Sequence, residues 1–334
     1  MAQKKWLLVL LFFWSFQLLG QDNSVYRKDY VETFPKSFQL APFIEIKSHA
    51  LNYEIVQNTN THNLNYISNY VFTAGIRIKY KGLGFALGKR IPITAYESKL
   101  GPADNFGIGF TFIKPRFSVF TRVEAYKGFY LQNTDEWLPG YKEKSDAYYQ
   151  RPDLRTISWF TSVGYFFNHK KFSMMASVFE LERQKKAAIG FVVGSNFSLN
   201  HFNADSSLVP SGTIIGASDS NTTYLRTYTF GLYGGIGFTI PLFRQKKFYF
   251  TSNIIPGYSI QHGLSNNQTV KTSLNQFFSG VTNELRFGIG YNSDNWFTAL
   301  TINSYGNTIT LSKSENFAVQ NGYLRYSFGL RLGR

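Results

Sequence analysis

The feature that most restricts this chain is hydrophobic alternation with a period of two, repeated in segment after segment. From 70 to 80, Tyr70, Phe72, Ala74, Ile76, Ile78 and Tyr80 alternate with Val71, Thr73, Gly75, Arg77 and Lys79. Leu83, Phe85 and Leu87 oppose Gly84, Ala86 and Gly88, and Phe106, Ile108, Phe110 and Phe112 oppose Gly107, Gly109 and Thr111. After Lys114-Pro115-Arg116, the residues Phe117, Val119, Thr121, Val123 and Ala125 interleave with Ser118, Phe120, Arg122 and Glu124. The second half repeats the pattern at 189–199, 228–240, 281–291 and most cleanly at 324–333, where Leu324, Tyr326, Phe328, Leu330 and Leu332 oppose Arg325, Ser327, Gly329, Arg331 and Gly333. Successive side chains of a strand point to opposite sides, so each segment has one apolar and one polar face.

A soluble secreted β-sandwich shows the same alternation. Three details favour a membrane barrel. Several segments run past ten residues, whereas strands of globular proteins usually have about 5–6. Aromatics gather near strand ends (Tyr70, Tyr80, Tyr165, Phe166, Phe167, Phe248, Tyr291, Trp296, Phe297), as interfacial girdles require. The polar faces are rich in glycine and arginine, which suits a lumen. Aromatic residues reach 18% and charged residues only 16%, the latter below the ~25% of soluble domains. The fold class expected is all-β, an antiparallel transmembrane β-barrel of 12–14 strands with 14 favoured.

Residues 1–20 combine Lys4 and Lys5 with a mainly apolar run from Trp6 to Leu19. That run is short for a spanning helix, which needs ~20 apolar residues, and suits a cleaved signal peptide. Cysteine is absent, which excludes disulfides, thiolate metal sites and a lipoprotein anchor. The organisation expected is a signal peptide (1–20), a periplasmic N-terminal segment (21–37) and a barrel (38–334) in the outer membrane of a Gram-negative cell.

Barrels alternate short periplasmic turns with longer outer loops. Short turns are expected at 80–82, 114–116 and 168–170, and longer connections at 58–68, 92–105 and 133–154. A strand over Leu208 to Gly216 completes fourteen; twelve results if a segment within 171–222 is misread.

Without Lys4 and Lys5, 33 basic residues face 20 acidic ones. No basic block exceeds a pair such as Lys185-Lys186 or Lys246-Lys247, so nucleic acid is not the expected partner. Outer-membrane lipid and lipopolysaccharide are, with the barrel assembly machinery during insertion. Arg77, Lys79, Arg116, Arg122, Glu124, Glu284, Arg286, Arg325 and Arg331 fall on polar faces and are candidates to line the lumen. They would form either a narrow, weakly anion-selective channel or an Arg–Glu network that fills the barrel. In the loop 127–154, Trp137, Tyr141, Tyr148 and Tyr149 are candidates for surface binding; the plainer reading is a cap over the mouth.

No catalytic, metal or cofactor motif is present, and a non-enzymatic protein is expected. The five histidines form no zinc spacing, and no GxSxG elbow exists. The alternative is a lipid hydrolase, like a lipid A deacylase, using His262 and Ser265. A nucleophile and base must lie within hydrogen-bond reach, and a spacing of three puts these two on opposite faces of a regular strand.

Several stretches resemble a Bacteroidetes outer-membrane family defined only as a domain of unknown function, number four-four-two-one. They are Gly75-Ile76-Arg77-Ile78-Lys79-Tyr80-Lys81-Gly82, Tyr126-Lys127-Gly128-Phe129-Tyr130-Leu131-Gln132-Asn133, Phe172-Ser173, and Glu182-Arg183-Gln184-Lys185-Lys186. Ser68-Asn69-Tyr70 stands where the family opens with Pro-Asn-Tyr, and Ala187-Ala188 where it carries small hydroxyl residues. The resemblance implies an outer-membrane barrel and supplies no activity. The chain closes on Leu332-Gly333-Arg334 instead of the terminal aromatic common in barrels.

Overall fold

A computed structural model describes residues 27–34, 38–57, 60–69, 71–211, 213, 222–267, 276–312 and 315–333; the expected signal segment lies outside them. In chain order the elements are β1 (Val31–Thr33), β2 (Phe38–Gln57), β3 (Asn60–Ser68), β4 (Val71–Tyr80), β5 (Leu83–Arg90), α1 (Thr94–Leu100), β6 (Asp104–Ile113) and β7 (Phe117–Leu131). Then follow α2 (Thr134–Trp137), α3 (Tyr141–Ser145), β8 (Tyr149–Phe167), α4 (Met174–Phe179), β9 (Glu182–Gln184) and β10 (Ala188–Asn203). The chain ends with β11 (Thr222–Leu242), β12 (Phe248–Asn267), β13 (Gln276–Asn292), β14 (Trp296–Ser312) and β15 (Glu315–Leu332).

All strands except β1 and β9 belong to one antiparallel sheet of thirteen, closed by pairing of β15 with β2 from Leu332↔Phe38 to Glu315↔Ile55. β3 and β4 pair with successive halves of the same long β2. They act as one stave, so the wall has twelve staves, within the expected range. The short β5–β6 hairpin occupies only the half nearer the chain ends. Beyond it β3 pairs directly with β7 through Tyr66↔Leu131 to Ser68↔Phe129, and the ring narrows to ten staves.

Gly128 sits at this junction, in a register shift between Lys127 and Phe129. Its φ is +85°, and a Cβ there would lie 2.0 Å from the Pro102 carbonyl oxygen. Only glycine combines that backbone with so close an approach.

Three sequence expectations are corrected. Residues 60–68 are strand, not a long connection: Asn-rich sequence has low β-propensity, but Leu64 and Tyr66 are fully buried inside the barrel. The turn at 168–170 does not join two wall strands: the chain runs on from it to 187 and enters the barrel. Leu208 to Ser211 form loop, not strand, and the remainder of that expected strand lies largely outside the described residues.

The apolar faces point outward over the whole wall. Ile44, Phe191, Leu232, Tyr258, Ile289 and Ile302 each expose more than half of their surface. Burying such a side chain is worth about 1.5–3 kcal/mol, and a continuous belt of them marks contact with lipid. Tyr80, Tyr165, Phe167, Phe248 and Trp296 stand at the end that carries the 81–82, 114–116, 243–247 and 293–295 turns, here termed the turn end. Phe166 and Phe297 do not join this girdle: each alternates with an outward neighbour and is buried inside the barrel, and Tyr70 lies outside the described residues. Among the described residues no helix is long and apolar enough to cross a membrane; the strands do so.

Leu232, 63% exposed in the middle of β11, tests the lipid contact. Leu232→Arg is expected to destabilise the barrel by about 2–4 kcal/mol, as charges do at the bilayer midplane. Urea titration of folding into vesicles measures it; a change under 0.5 kcal/mol, roughly that of a water-exposed site, contradicts a lipid-facing belt.

Candidate functional site: a plugged cationic lumen

The connection from β8 to β10 folds into the turn end and closes it. Phe172 enters first, against Gly190 and Gly237: a Cβ at either would lie 2.3 or 2.9 Å from its ring. Ser173 caps α4, its Oγ accepting from the Ala176 N–H at 3.0 Å while its hydroxyl donates to the Glu182 carboxylate. Gln184 ties the two ends of the plug together. Its Oε1 accepts from the Ser173 N–H at 3.1 Å, and its Nε2 donates to the carbonyls of Lys171, Lys186 and Tyr30 at 2.7, 3.0 and 3.2 Å.

β9 pairs with β1, Val31↔Gln184 to Thr33↔Glu182, so the segment ahead of the barrel is tied to the plug. Arg183 adds ion pairs to Glu32 at 2.9 Å and to Asp294. The hydrogen bond from Arg183 holds the Asp294 carboxyl below its usual range. That tie is complete at neutral pH and is lost only as pH falls through the depressed value.

The end of α4 carries the decisive contact. Glu180, at φ 53°, is fully buried inside the barrel. Its carboxylate accepts from Arg77 Nη2 and Lys79 Nζ, both at 3.2 Å, and from Tyr249 Oη at 3.0 Å. Its carbonyl accepts from Gln39 Nε2 at 3.0 Å and from Arg331. One carboxylate therefore serves two buried cations.

Deeper in the lumen β2 supplies Glu45, Lys47 and His49. Glu45 pairs with Arg325 at 2.6 Å and Lys47 at 3.4 Å; Glu124 pairs with Lys47 at 3.0 Å, Arg122 at 3.1 Å and the Tyr305 hydroxyl at 2.8 Å. Arg286 pairs with Glu284 and lies 3.9 Å above the Phe120 ring. The Tyr323 ring is flanked by Arg122 at 4.4 Å and Arg325 at 4.5 Å. Between this layer and the plug is a cavity of about 130 Å³. Among the described residues Lys47, Arg77, Lys79, Arg122, Arg286 and Arg325 line it, and Glu45, Glu124, Glu180 and Glu284 pair with them. The balance is two positive charges in excess.

Beyond this layer the lumen is filled with apolar side chains. His49, bonded to Asn321 at 2.6 Å and Thr156 at 2.9 Å, stacks on Tyr126 at 4.4 Å. Leu51, Tyr53, Tyr66, Phe129, Phe202 and Phe317 pack above it, with Leu208 and Val209 of the inward-folded loop. Arg151 holds that loop through the Ser206 and Ser207 carbonyls at 2.8 and 2.6 Å.

The family described as Domain of unknown function (DUF4421) matches residues 22–332. The chain belongs to that family. No curated protein matches its sequence. Among solved structures it is similar to the outer membrane protease OmpT of Escherichia coli, at 8% identity over 90% of this chain and 98% of that one, TM-score 0.39. It is also similar to the translocator domain of the autotransporter NalP of Neisseria meningitidis (10%, 87% and 88%, TM-score 0.36) and to the P. putida toluene transporter TodX (7%, 90% and 91%, TM-score 0.30). What assigns this family member to the outer membrane is its own closed sheet and lipid-facing belt.

Of the residues singled out from sequence, Arg77, Lys79, Arg122, Glu124, Glu284, Arg286, Arg325 and Arg331 lie inside the barrel. Arg116 does not: it is exposed in the 114–116 turn, one residue before the alternation of β7 takes hold. Trp137 is no surface side chain either. It is 6% exposed, packs under the cap and donates to the Asn63 carbonyl at 2.8 Å. Tyr141, Tyr148 and Tyr149 are half-buried around it. Glu45, Lys47 and His49 were legible, since Ile44 and Ile46 alternate with them, but Glu180 lies outside any periodic segment.

His262 and Ser265 pair with Tyr228 and Leu225 in an unbroken register, so their strand positions have opposite parity. Among the described residues no cluster of three His, Cys, Asp or Glu suits a metal ion.

Glu180→Gln removes the carboxylate that, among the described residues, pairs with both Arg77 and Lys79, a loss of about 3–5 kcal/mol when a buried pair is broken. The expected outcome is faster tryptic nicking at Lys170, Lys171, Lys185 or Lys186 in a barrel that keeps its heat-modifiable gel shift. Unchanged nicking means that the contact does not hold the plug.

Proposed function

We propose that this protein is a non-enzymatic outer-membrane barrel, shut at rest, that admits small anions to its lumen when the α4–β9 plug leaves the turn end. The observation that carries this reading is the Glu180 contact. With the plug withdrawn, Arg77 and Lys79 lose their carboxylate, and the lumen turns strongly cationic where solutes would enter. Fixed positive charge in a narrow, low-dielectric passage favours anions.

Barrels set short turns in the periplasm and longer loops outside. That orientation puts the plug, and the segment tied to it through β1, on the periplasmic side. Insertion would rely on the barrel assembly machinery, and the belt would meet lipid and lipopolysaccharide. Lipid hydrolysis by His262 and Ser265 draws no support from their opposite strand parity.

Labelling of a lumen cysteine tests the reading. The sequence has no cysteine of its own, and Asn303 lines the cavity. In Asn303→Cys a negatively charged methanethiosulfonate is expected to react slowly, and in the same variant with residues 172–184 replaced by a Gly-Ser linker about tenfold faster or more, ahead of a positively charged analogue. A folded, plugless barrel whose cysteine stays unreactive, or prefers the positive reagent, overturns it.

A further inference from the structure

The cavity above the plug has a size, a charge and a wall chemistry that together specify a ligand. We propose that it binds one small, flat monocarboxylate of about benzene size; the proposal rests on the reading that anions enter at the turn end for the route by which such a ligand arrives.

Size comes first. A cavity of about 130 Å³ compares with the roughly 150 Å³ of an engineered apolar cavity that takes up benzene. Among the described residues, six cations against four carboxylates leave two charges unmatched between the plug on one side and the His49–Tyr126 layer on the other. A buried charge is costly unless paired and hydrogen-bonded.

Unused donors come second. Arg286 Nη1 and Arg77 Nε are both buried without a hydrogen-bond partner. Arg286 is held at a fixed height over Phe120, with its Nη2 already on Glu284. A guanidinium so positioned presents directed donors to a carboxylate.

The wall explains why the anion carries a flat apolar body. β5 and β6 turn Gly84, Ala86 and Gly109 toward the cavity. A Cβ added to Gly109 would meet nothing nearer than the Ala86 Cβ at 3.8 Å and the Thr121 carbonyl at 3.9 Å. The space over that wall is open, and Phe43, Phe120 and Phe160 bound it. Inorganic phosphate would satisfy the charge and leave this apolar floor bare.

Equilibrium dialysis of labelled benzoate tests the proposal on the full mature chain, refolded with the ligand present so that binding does not depend on plug movement. Wild-type barrel is expected to bind one equivalent saturably. Arg286→Gln should weaken binding tenfold or more, and Gly109→Leu, which fills the floor beside Arg122 and removes no charge, should do at least as much. Neither benzyl alcohol nor inorganic phosphate should displace the label at tenfold excess. Each protein is scored only if it shows the heat-modifiable gel shift; should Arg286→Gln fail to fold, Gly109→Leu decides. No saturable binding, wild-type affinity in a folded variant, or displacement by either competitor overturns the proposal. A plugless barrel whose lumen cysteine stays unlabelled would sink the entry reading and leave this result standing.

Discussion

Hydrocarbon offers no partner for a backbone N–H or C=O, and an unpaired group there costs several kcal/mol. A sheet in a membrane must therefore have no free edge. In this chain the pairing of β15 with β2, from Leu332↔Phe38 onward, removes the last one. Outward side chains are then free to be as apolar as lipid requires, and everything polar is confined to the inside. The double pairing of β2 follows from the same demand. Where β5 and β6 stop, β7 would be left with an open edge, and β3 closes it through Tyr66 to Ser68. Gly128 permits the change of neighbour.

Confinement of polar groups creates the second problem. Twelve staves enclose more space than two layers of side chains fill, and the chain fills the two ends by different chemistry. At the loop end, where the ring is narrower, the fill is aromatic and aliphatic. At the turn end the fill is a folded segment whose deepest point is a carboxylate. Buried ion pairs add little net stability, yet breaking one is severe because a charge is left alone. Glu180 thus positions the plug more than it strengthens the barrel.

How much of this was legible depends on periodicity. β13 and β15 have strict alternation, so Glu284, Arg286, Arg325 and Arg331 could be placed inside from sequence. β3 could not: His62, Asn63 and Asn65 dilute the pattern, and only its pairing with β2 makes it a strand. The plug was invisible to the period-two signal, since a six-residue helix between two long strands carries no repeat of its own. Its residues did appear as the stretches that resemble the family. Phe172-Ser173 and Glu182-Arg183-Gln184 form the plug's polar knot, while Arg77 and Lys79 grip it. A motif scattered over a hundred positions becomes one site only when the barrel brings β4 against the 168–187 connection.

The contrast between the two ends decides which one moves. Opening the loop end would expose Leu51, Tyr53, Tyr66, Phe129, Phe202 and Phe317, each forfeiting on the order of 1.5–3 kcal/mol in water. It would also break the Arg151 contacts to the 206–207 carbonyls. Withdrawing the plug opens a smaller apolar cluster, Phe172, Met174, Phe179 and Leu181 against Ile113, Phe166, Val192, Tyr233 and Ile255 of the wall, and frees donors and acceptors that water or an entering anion can satisfy. The Glu180 ion pairs are exchangeable in a way that packed rings are not. β1, hydrogen-bonded to β9, is so placed that a pull on the segment ahead of the barrel acts directly on the plug. Movement at the turn end is the cheaper rearrangement, and the chain carries a handle for it.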